Sequence, residues 1–287
     1  MCLVFFFSFT TLFPPVTQLT FGTGGVTTPG NPEQIQCIRK AMETGLWMHC
    51  ANYGDGAFQN LKLAFGEAPG QIPKTIFKVD GVSADGFRST IRSFLSQVGL
   101  DRMDIAQVCG FPLSKDPEAI LEAMGEAREE GLTDCYVMEI MPKYCRKMVD
   151  EIIPRGLFEG YILYHNVMSC HASKEVLTAM AGKSLPLLCL QTFGGGHGDG
   201  LWNRAKRPPY LEPIFRKSGY SSWVDFSVHY GLSLPGVVTT IAGSGKIAHL
   251  EEAIQAQESF RPLNPALVQE LLEAHHAWNQ AHEVDFG

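Results

Sequence analysis

Trp47-Met48-His49-Cys50-Ala51-Asn52-Tyr53-Gly54, followed about one β/α unit later by Thr75-Ile76-Phe77-Lys78, decides how the rest of the chain is read. The first stretch is a short apolar strand with a Tyr just past its C-terminal end. The second is another short strand that closes on a Lys. Adjacent parallel strands deliver their ends to one place, so Tyr53 and Lys78 are expected to share a pocket. There the ammonium lowers the cost of ionising the phenol, and Tyr53 can give or take a proton nearer neutral pH. Such a pair suits the reduction of a carbonyl group.

Outward from this pair the same alternation repeats. Short apolar runs predict strands over 18–22, 47–50, 75–78, 103–108, 135–140, 161–164, 187–191 and 237–241. Between them lie helical patterns. Asn31-Pro32-Glu33 opens a helix to residue 43, with Asn31 as N-cap and Pro32 in the first helical position. Further helices are predicted over 57–65, 84–98, 117–130, 143–153, 173–180 (capped by Ser173), 222–230 and 246–257, with a last amphipathic one over 265–282. In the 84–98 segment Phe87, Ile91, Phe94, Leu95 and Val98 fall on one face. Eight strands alternating with eight helices predict a parallel sheet closed into a (β/α)8 TIM barrel. An open doubly wound sheet is the alternative, but no Gly-x-Gly-x-x-Gly follows the first strand. Residues 19–287 are read as one barrel domain with a C-terminal helix, and residues 1–18 as an N-terminal segment or a hairpin at the barrel floor. Phe5-Phe6-Phe7 lacks a preceding basic residue and is followed by Pro14-Pro15, unlike a secretory signal.

Bulk properties narrow the function. The 287 residues are 45% hydrophobic and 18% charged, with a net charge of −7 and no Lys/Arg block, so nucleic acid is not an expected partner. No apolar run is long enough to span a bilayer. The eight cysteines are scattered through apolar segments without a Cys-x-x-Cys pair, which predicts buried thiols in a cytoplasmic protein. In a barrel the chemistry sits where strands end. The positions to watch are therefore His49 to Tyr53, Lys78, Cys109, Glu139, His165-Asn166, Thr192 to Gly200 and Gly243 to Lys246. A metal site is not expected, because no two ligand-type residues share a helix at ligand spacing. The glycine run from Gly194 to Gly200 reads as a lid loop over the barrel mouth.

Several segments occur in one order: Leu19-Thr20-Phe21-Gly22-Thr23-Gly24; Ala41-Met42-Glu43-Thr44-Gly45 leading to Tyr53-Gly54; Thr75 to Lys78; Ile91 to Ile105; Ala119 to Gly131; and Val238-Thr239-Thr240-Ile241-Ala242-Gly243-Ser244-Gly245 with His249-Leu250-Glu251-Glu252-Ala253. This ordered set, over residues 19–257, resembles the aldo-keto reductases. The resemblance implies Tyr53 as general acid and Lys78 as the residue that tunes it. It also implies NADP(H) as cofactor, with a phosphate received by Gly243, Ser244, Gly245, Lys246 and His249, and a small carbonyl or sugar-like substrate. A helix start offers backbone N–H groups to a phosphate, and Lys246 adds a cation.

The chain departs from the family pattern in four places. The Asp expected at the end of the second strand is replaced by His49, or by Met48 without a gap. The His expected at the end of the fourth strand falls on Cys109. The Gly-x-Ser after the fifth strand falls on Val137-Met138-Glu139, and the sixth-strand Gln falls among Ile162-Leu163-Tyr164. Lys78 thus loses its usual counter-ion, which leaves Asp80 or Glu139 to replace it. Three functions follow. One is an NAD(P)H-dependent reductase of an aldehyde or ketone. The second is a cofactor-free proton-transfer enzyme (a lyase, isomerase or hydrolase on a carbohydrate-like substrate) using Tyr53, His49 and Glu139, with His165 as a further group. The third is a non-catalytic relative that binds a nucleotide or a protein partner.

Overall fold

The computed structural model describes residues 13–51, 55–79, 83–109, 113, 115–195 and 200–284. Nine strands form the sheet: β1 (Leu19–Gly22), β2 (Trp47–Cys50), β3 (Thr75–Val79), β4 (Met103–Cys109), β5 (Thr133–Ile140), β6 (Gly160–Asn166), the two-residue β7 (Ser169–Cys170), β8 (Leu187–Leu190) and β9 (Val237–Gly243). Neighbours run in the order β5-β4-β3-β2-β1-β9-β8-β6, and β5 also pairs with β6, so eight parallel strands close on themselves. β7 only doubles back antiparallel on the end of β6. The chain is a (β/α)8 barrel.

The helices are α1 (Pro32–Glu43), α2 (Asp55–Glu67), α3 (Ala84–Val98), α4 (Pro117–Glu129), α5 (Lys174–Gly182), α6 (Leu211–Ser218), α7 (Trp223–Ser233), α8 (Ile247–Glu258) and α9 (Pro265–Ala281). Side-chain caps set the starts of several of them. Asn31 accepts from the Gln34 N–H, Ser83 from Gly86, Asp116 from Ala119, Ser173 from Val176 and Ser222 from Asp225. Each such cap is worth about 1 kcal/mol. α3 turns Phe87, Ile91, Leu95 and Val98 inward and stops at Gly99, whose φ of 80° is the left-handed conformation a side chain resists. Truncating Phe87 to Ala costs about 3–5 kcal/mol on this face.

Two stretches differ from the sequence expectation. Residues 143–153, expected as one helix, pass through 3-10, α, π (Met148–Ile152) and again 3-10 turns. Pro154 explains the last of these, since it has no N–H to donate and its ring crowds the preceding turn. α6 was not expected at all. It follows Pro208-Pro209 and its first residues receive no side-chain cap.

Side chains along each strand alternate between two cores. Leu19, Phe21, Met48, Cys50, Phe77, Tyr136, Met138, Tyr161 and Leu163 face the helices. Trp47, Ile76, Ile105, Cys135, Val137, Ile162, Leu188, Leu190 and Ile241 fill the barrel, with Phe13 and Val16 packed against them. Residues 13–18 are irregular, and residues 1–12 lie outside the described residues. Cys37, Cys50, Cys109, Cys135, Cys170 and Cys189 are buried.

Candidate active site

The same period of two builds the mouth of the barrel. Two residues past the apolar layer, β2 turns His49 inward, β3 Lys78, β4 Gln107 and β5 Glu139. Register sets Lys78 beside Gln107, with His49 beside Ile76 and Glu139 beside Cys109, and the side chains reach across these steps. The four side chains form one connected chain. His49 Nε2 donates to Gln107 Oε1 at 2.5 Å, and Gln107 Nε2 donates to Glu139 Oε2 at 2.7 Å. Lys78 Nζ lies 3.3 Å from both Glu139 carboxylate oxygens.

This geometry fixes protonation states. The Gln107 amide must give its N–H to the carboxylate, so its oxygen faces His49, and His49 carries its proton on Nε2. Burial holds the His49 imidazolium down to about 4, against the Gln107 hydrogen bond, and the Lys78 charge pushes the same way. His49 is therefore neutral at neutral pH. It does not supply the anion that an Asp at that position would. Glu139 supplies it from β5, where its side chain is 1% exposed and that of Lys78 is 11% exposed. Of the two counter-ions left open by the sequence, Glu139 is paired with Lys78, while Asp80 lies outside the described residues.

Other expectations sort as follows. Tyr53 lies outside the described residues, as do His197 and Asp199 of the glycine-rich loop. Cys109 is buried, its Sγ 3.4 Å from Met141 Sδ. His165, expected in the mouth, points the other way. Ile162 and Tyr164 take the inward positions of β6, so His165 faces the helices and bonds Tyr230 at 3.0 Å. Asn166 serves its own turn by accepting from the N–H groups of Met168 and Ser169. Thr192, just past the end of β8, is hydrogen-bonded at 2.6 Å to Thr240 in the middle of β9.

A small cavity of about 40 Å³ opens over the polar chain, lined by Gly22, His49, Lys78, Tyr164, Gln191 and Gly243 among others. Gln107, Tyr164 and Gln191 were not singled out from sequence. Gln107 could have been, because it is a polar residue sharing the inward parity of Ile105 and Cys109 in a strand that is otherwise apolar past Asp104. Gln191 is held at φ 56°, a conformation that costs a non-glycine residue free energy and that concentrates at functional sites.

The proposed phosphate end lies beside this cavity. Ser244 Oγ accepts from the Lys246 N–H at 3.1 Å and lies 3.3 Å from His249 Nδ1, just before the first turn of α8. The Trp202 indole stacks on His249 with ring centroids 3.9 Å apart. Gly25 and Gly245 interleave so closely that a Cβ on Gly245 would sit 2.3 Å from the Gly25 carbonyl oxygen. Glycine is thus required there by loop packing, whatever binds. Among the described residues no group of three His, Cys, Asp or Glu is placed to hold a metal ion. No helix among them is long and apolar enough to cross a membrane.

No protein-family model and no curated protein matches the chain. Among solved structures it is similar to the aldo-keto reductase AKR11C1 from Bacillus halodurans. The holo form superimposes with a TM-score of 0.71 at 18% identity, covering 91% of this chain and 95% of that one. The apo form gives 0.67 at 17% identity over the same shares. The fold of this chain is the aldo-keto reductase barrel.

Proposed function

We propose that the barrel mouth reduces an aldehyde or ketone with NAD(P)H. One observation carries this reading: the Lys78–Glu139 pair restores, from β5, the carboxylate–lysine partnership that β2 lacks. The residues at the proposed phosphate end suit the cofactor. Helix α8 presents its N-terminus with Ser244 beside it and exposed Lys246 in front, a receptor for a phosphate. His249 and Trp202 form a flat wall next to it. Gln191, in the mouth, has an amide able to meet the nicotinamide carboxamide in place of the missing Ser and Gln. A bound nicotinamide would supply hydride to the carbonyl carbon.

The remaining work falls to the chain itself. Tyr53 gives its proton to the carbonyl oxygen, and Lys78 stabilises the phenolate left behind. Glu139 holds the ammonium at the strand end, and Gln107 and His49 hold Glu139. His49, neutral and lining the cavity, adds polarity without competing for the proton. Proton transfer without a cofactor is less well supported, because its two proposed bases are occupied. Both Glu139 oxygens are engaged by Lys78 and one also by Gln107, and the His49 imidazole binds protons only near pH 4.

Titration with NADPH and NADH, followed by nicotinamide fluorescence, tests the cofactor. A carbonyl screen then compares wild type with Tyr53→Phe and Lys78→Met. The expected result is saturable NADPH binding and a loss of kcat of about 10²–10⁴ in Tyr53→Phe with binding retained, the range for a general acid. No binding at millimolar cofactor would sink the reductase. Binding with no turnover of any carbonyl, and no effect of Tyr53→Phe, would favour a nucleotide-binding relative without catalysis.

A further inference from the structure

A larger cavity than that of the mouth lies elsewhere in the molecule. It measures about 330 Å³ and lies on the outer side of the barrel wall, between β6, α5 and α9. That is within the size range of small-molecule sites, about 300–1,000 Å³. Tyr161 and His165 line it from β6, on the face opposite Ile162 and Tyr164, so the wall itself separates it from the mouth. The lining of this slot follows α5 from Lys174 to Ala181, about 10 Å of helix at 1.5 Å per residue, and continues to Ser184. Leu177, Met180 and Leu272 make most of it apolar.

Two of the lining residues each carry a buried polar atom without a hydrogen-bond partner among the described residues, Tyr161 Oη and His165 Nδ1. Tyr161 is 0% exposed and His165 2%. Leaving a buried polar atom unpaired is costly, and most such atoms in folded proteins are paired. Here both belong to residues that line one slot. Four residues apart on a strand, they stand about 13 Å from each other. Burial raises the Tyr161 phenol, keeping its O–H available as a donor. Burial also holds His165 neutral, with Nε2 engaged by Tyr230. The rim carries Lys174, Glu273 and His276, charges of both signs that select no net charge in a ligand.

We propose that this slot is a second binding site, for an elongated, uncharged, mostly apolar molecule carrying a hydroxyl or carbonyl oxygen. The body lies along Leu177, Met180 and Leu272, and the oxygen completes the hydrogen bonding of Tyr161 or His165. The site is independent of the reductase reading.

The test uses 1-decanol as probe, with decane as the oxygen-free control and decanoate as the charged one. Binding is read by native mass spectrometry and by the shift in melting temperature. The expected result is one saturable 1-decanol per chain, bound more tightly than decane or decanoate. Tyr161→Phe or His165→Phe weakens it about three- to tenfold, the size of one hydrogen bond. Tyr161→Phe removes an unpaired hydroxyl and keeps the ring, so its own melting temperature holds, which separates lost binding from lost folding. Ala181→Trp fills the slot from α5 and abolishes binding. Absence of saturable binding to wild type overturns the proposal. So do binding unchanged in Ala181→Trp, equal affinity for decane, and a crystal structure in which residues 1–12 fill the slot.

Discussion

His49 and His165 are both buried histidines on barrel strands, one on each face of the wall. On the inner face every polar group in the top layer meets another: His49 to Gln107, Gln107 to Glu139, Glu139 to Lys78. On the outer face Tyr161 Oη, His165 Nδ1 and His275 Nδ1 are left over among the described residues. The inner set is held rigid by its own hydrogen bonds before any ligand arrives, which is what an active site needs. The outer atoms have no such partners among the described residues. The contrast separates a preorganised reactive layer from a receptive slot, and it is open to experiment from both sides.

The largest effect expected is acid destabilisation. His49 and His275 are both held down to about 4 by burial, from an ordinary value of 6.5. Around His49 the Gln107 hydrogen bond opposes burial and the Lys78 charge reinforces it. Around His275 the Val167 carbonyl opposes burial and His276 reinforces it. Between pH 6.5 and 4 the unfolded chain binds more protons than the folded one, so stability falls as the pH falls through that window. Above pH 6.5 the contribution is complete, and below 4 no more is lost. Each histidine accounts for on the order of 3 kcal/mol, and His165 adds in the same direction. Urea denaturation at pH 7, 5.5 and 4.5 should show this. His49→Asn and His275→Asn should each remove a similar share of the slope. A slope unchanged in both variants would mean that water reaches these rings.

Next in size is the ion pair. Glu139→Ala takes the carboxylate away from the buried Lys78 ammonium and the Gln107 amide, and should cost about 3–5 kcal/mol by urea denaturation. Lys78→Met combined with Glu139→Leu should recover most of that, because it removes both charges together. On the slot side Tyr161→Phe should change stability by less than about 1 kcal/mol. Comparable losses at Glu139 and Tyr161 would erase the distinction between the two faces.

The strands, the helix caps Asn31 and Ser173, and the delivery of Lys78 to a strand end were legible in the sequence because each depends on local chemistry and spacing. What joins Lys78 to Glu139 was not. Alternation says that both face inward, but they sit two strands apart, and Gln107 between them is what holds the carboxylate in reach. His165 was misplaced for a different reason. β6 is apolar on both faces, Tyr161 and Leu163 outward and Ile162 and Tyr164 inward. With no polar alternation the strand shows no parity, and one step of parity moves a side chain to the other side of the wall. The slot follows from how α5 and α9 pack over that outer face, which no local pattern records.

The smallest effect gives the finest comparison. Two of the described residues with positive φ lie one in each site: Gln191 at 56° in the mouth and Ser184 at 54° in the lining of the slot. The left-handed conformation costs a non-glycine residue about 1–2 kcal/mol, while glycine loses about 0.4–1 kcal/mol through a freer unfolded chain. Gln191→Gly and Ser184→Gly should therefore each stabilise the fold slightly, by about 0.5 kcal/mol on that balance. Their functional consequences should diverge. Gln191→Gly removes the amide assigned to the nicotinamide and should raise the Kd for NADPH about tenfold, the worth of a well-made hydrogen bond, with 1-decanol binding unchanged. Ser184→Gly should leave NADPH untouched, since the barrel wall stands between its slot and the mouth. Equal stabilisation with equal NADPH affinity would show that the strain at Gln191 serves only the chain's turn out of β8, and the cofactor amide would then need another partner in the mouth.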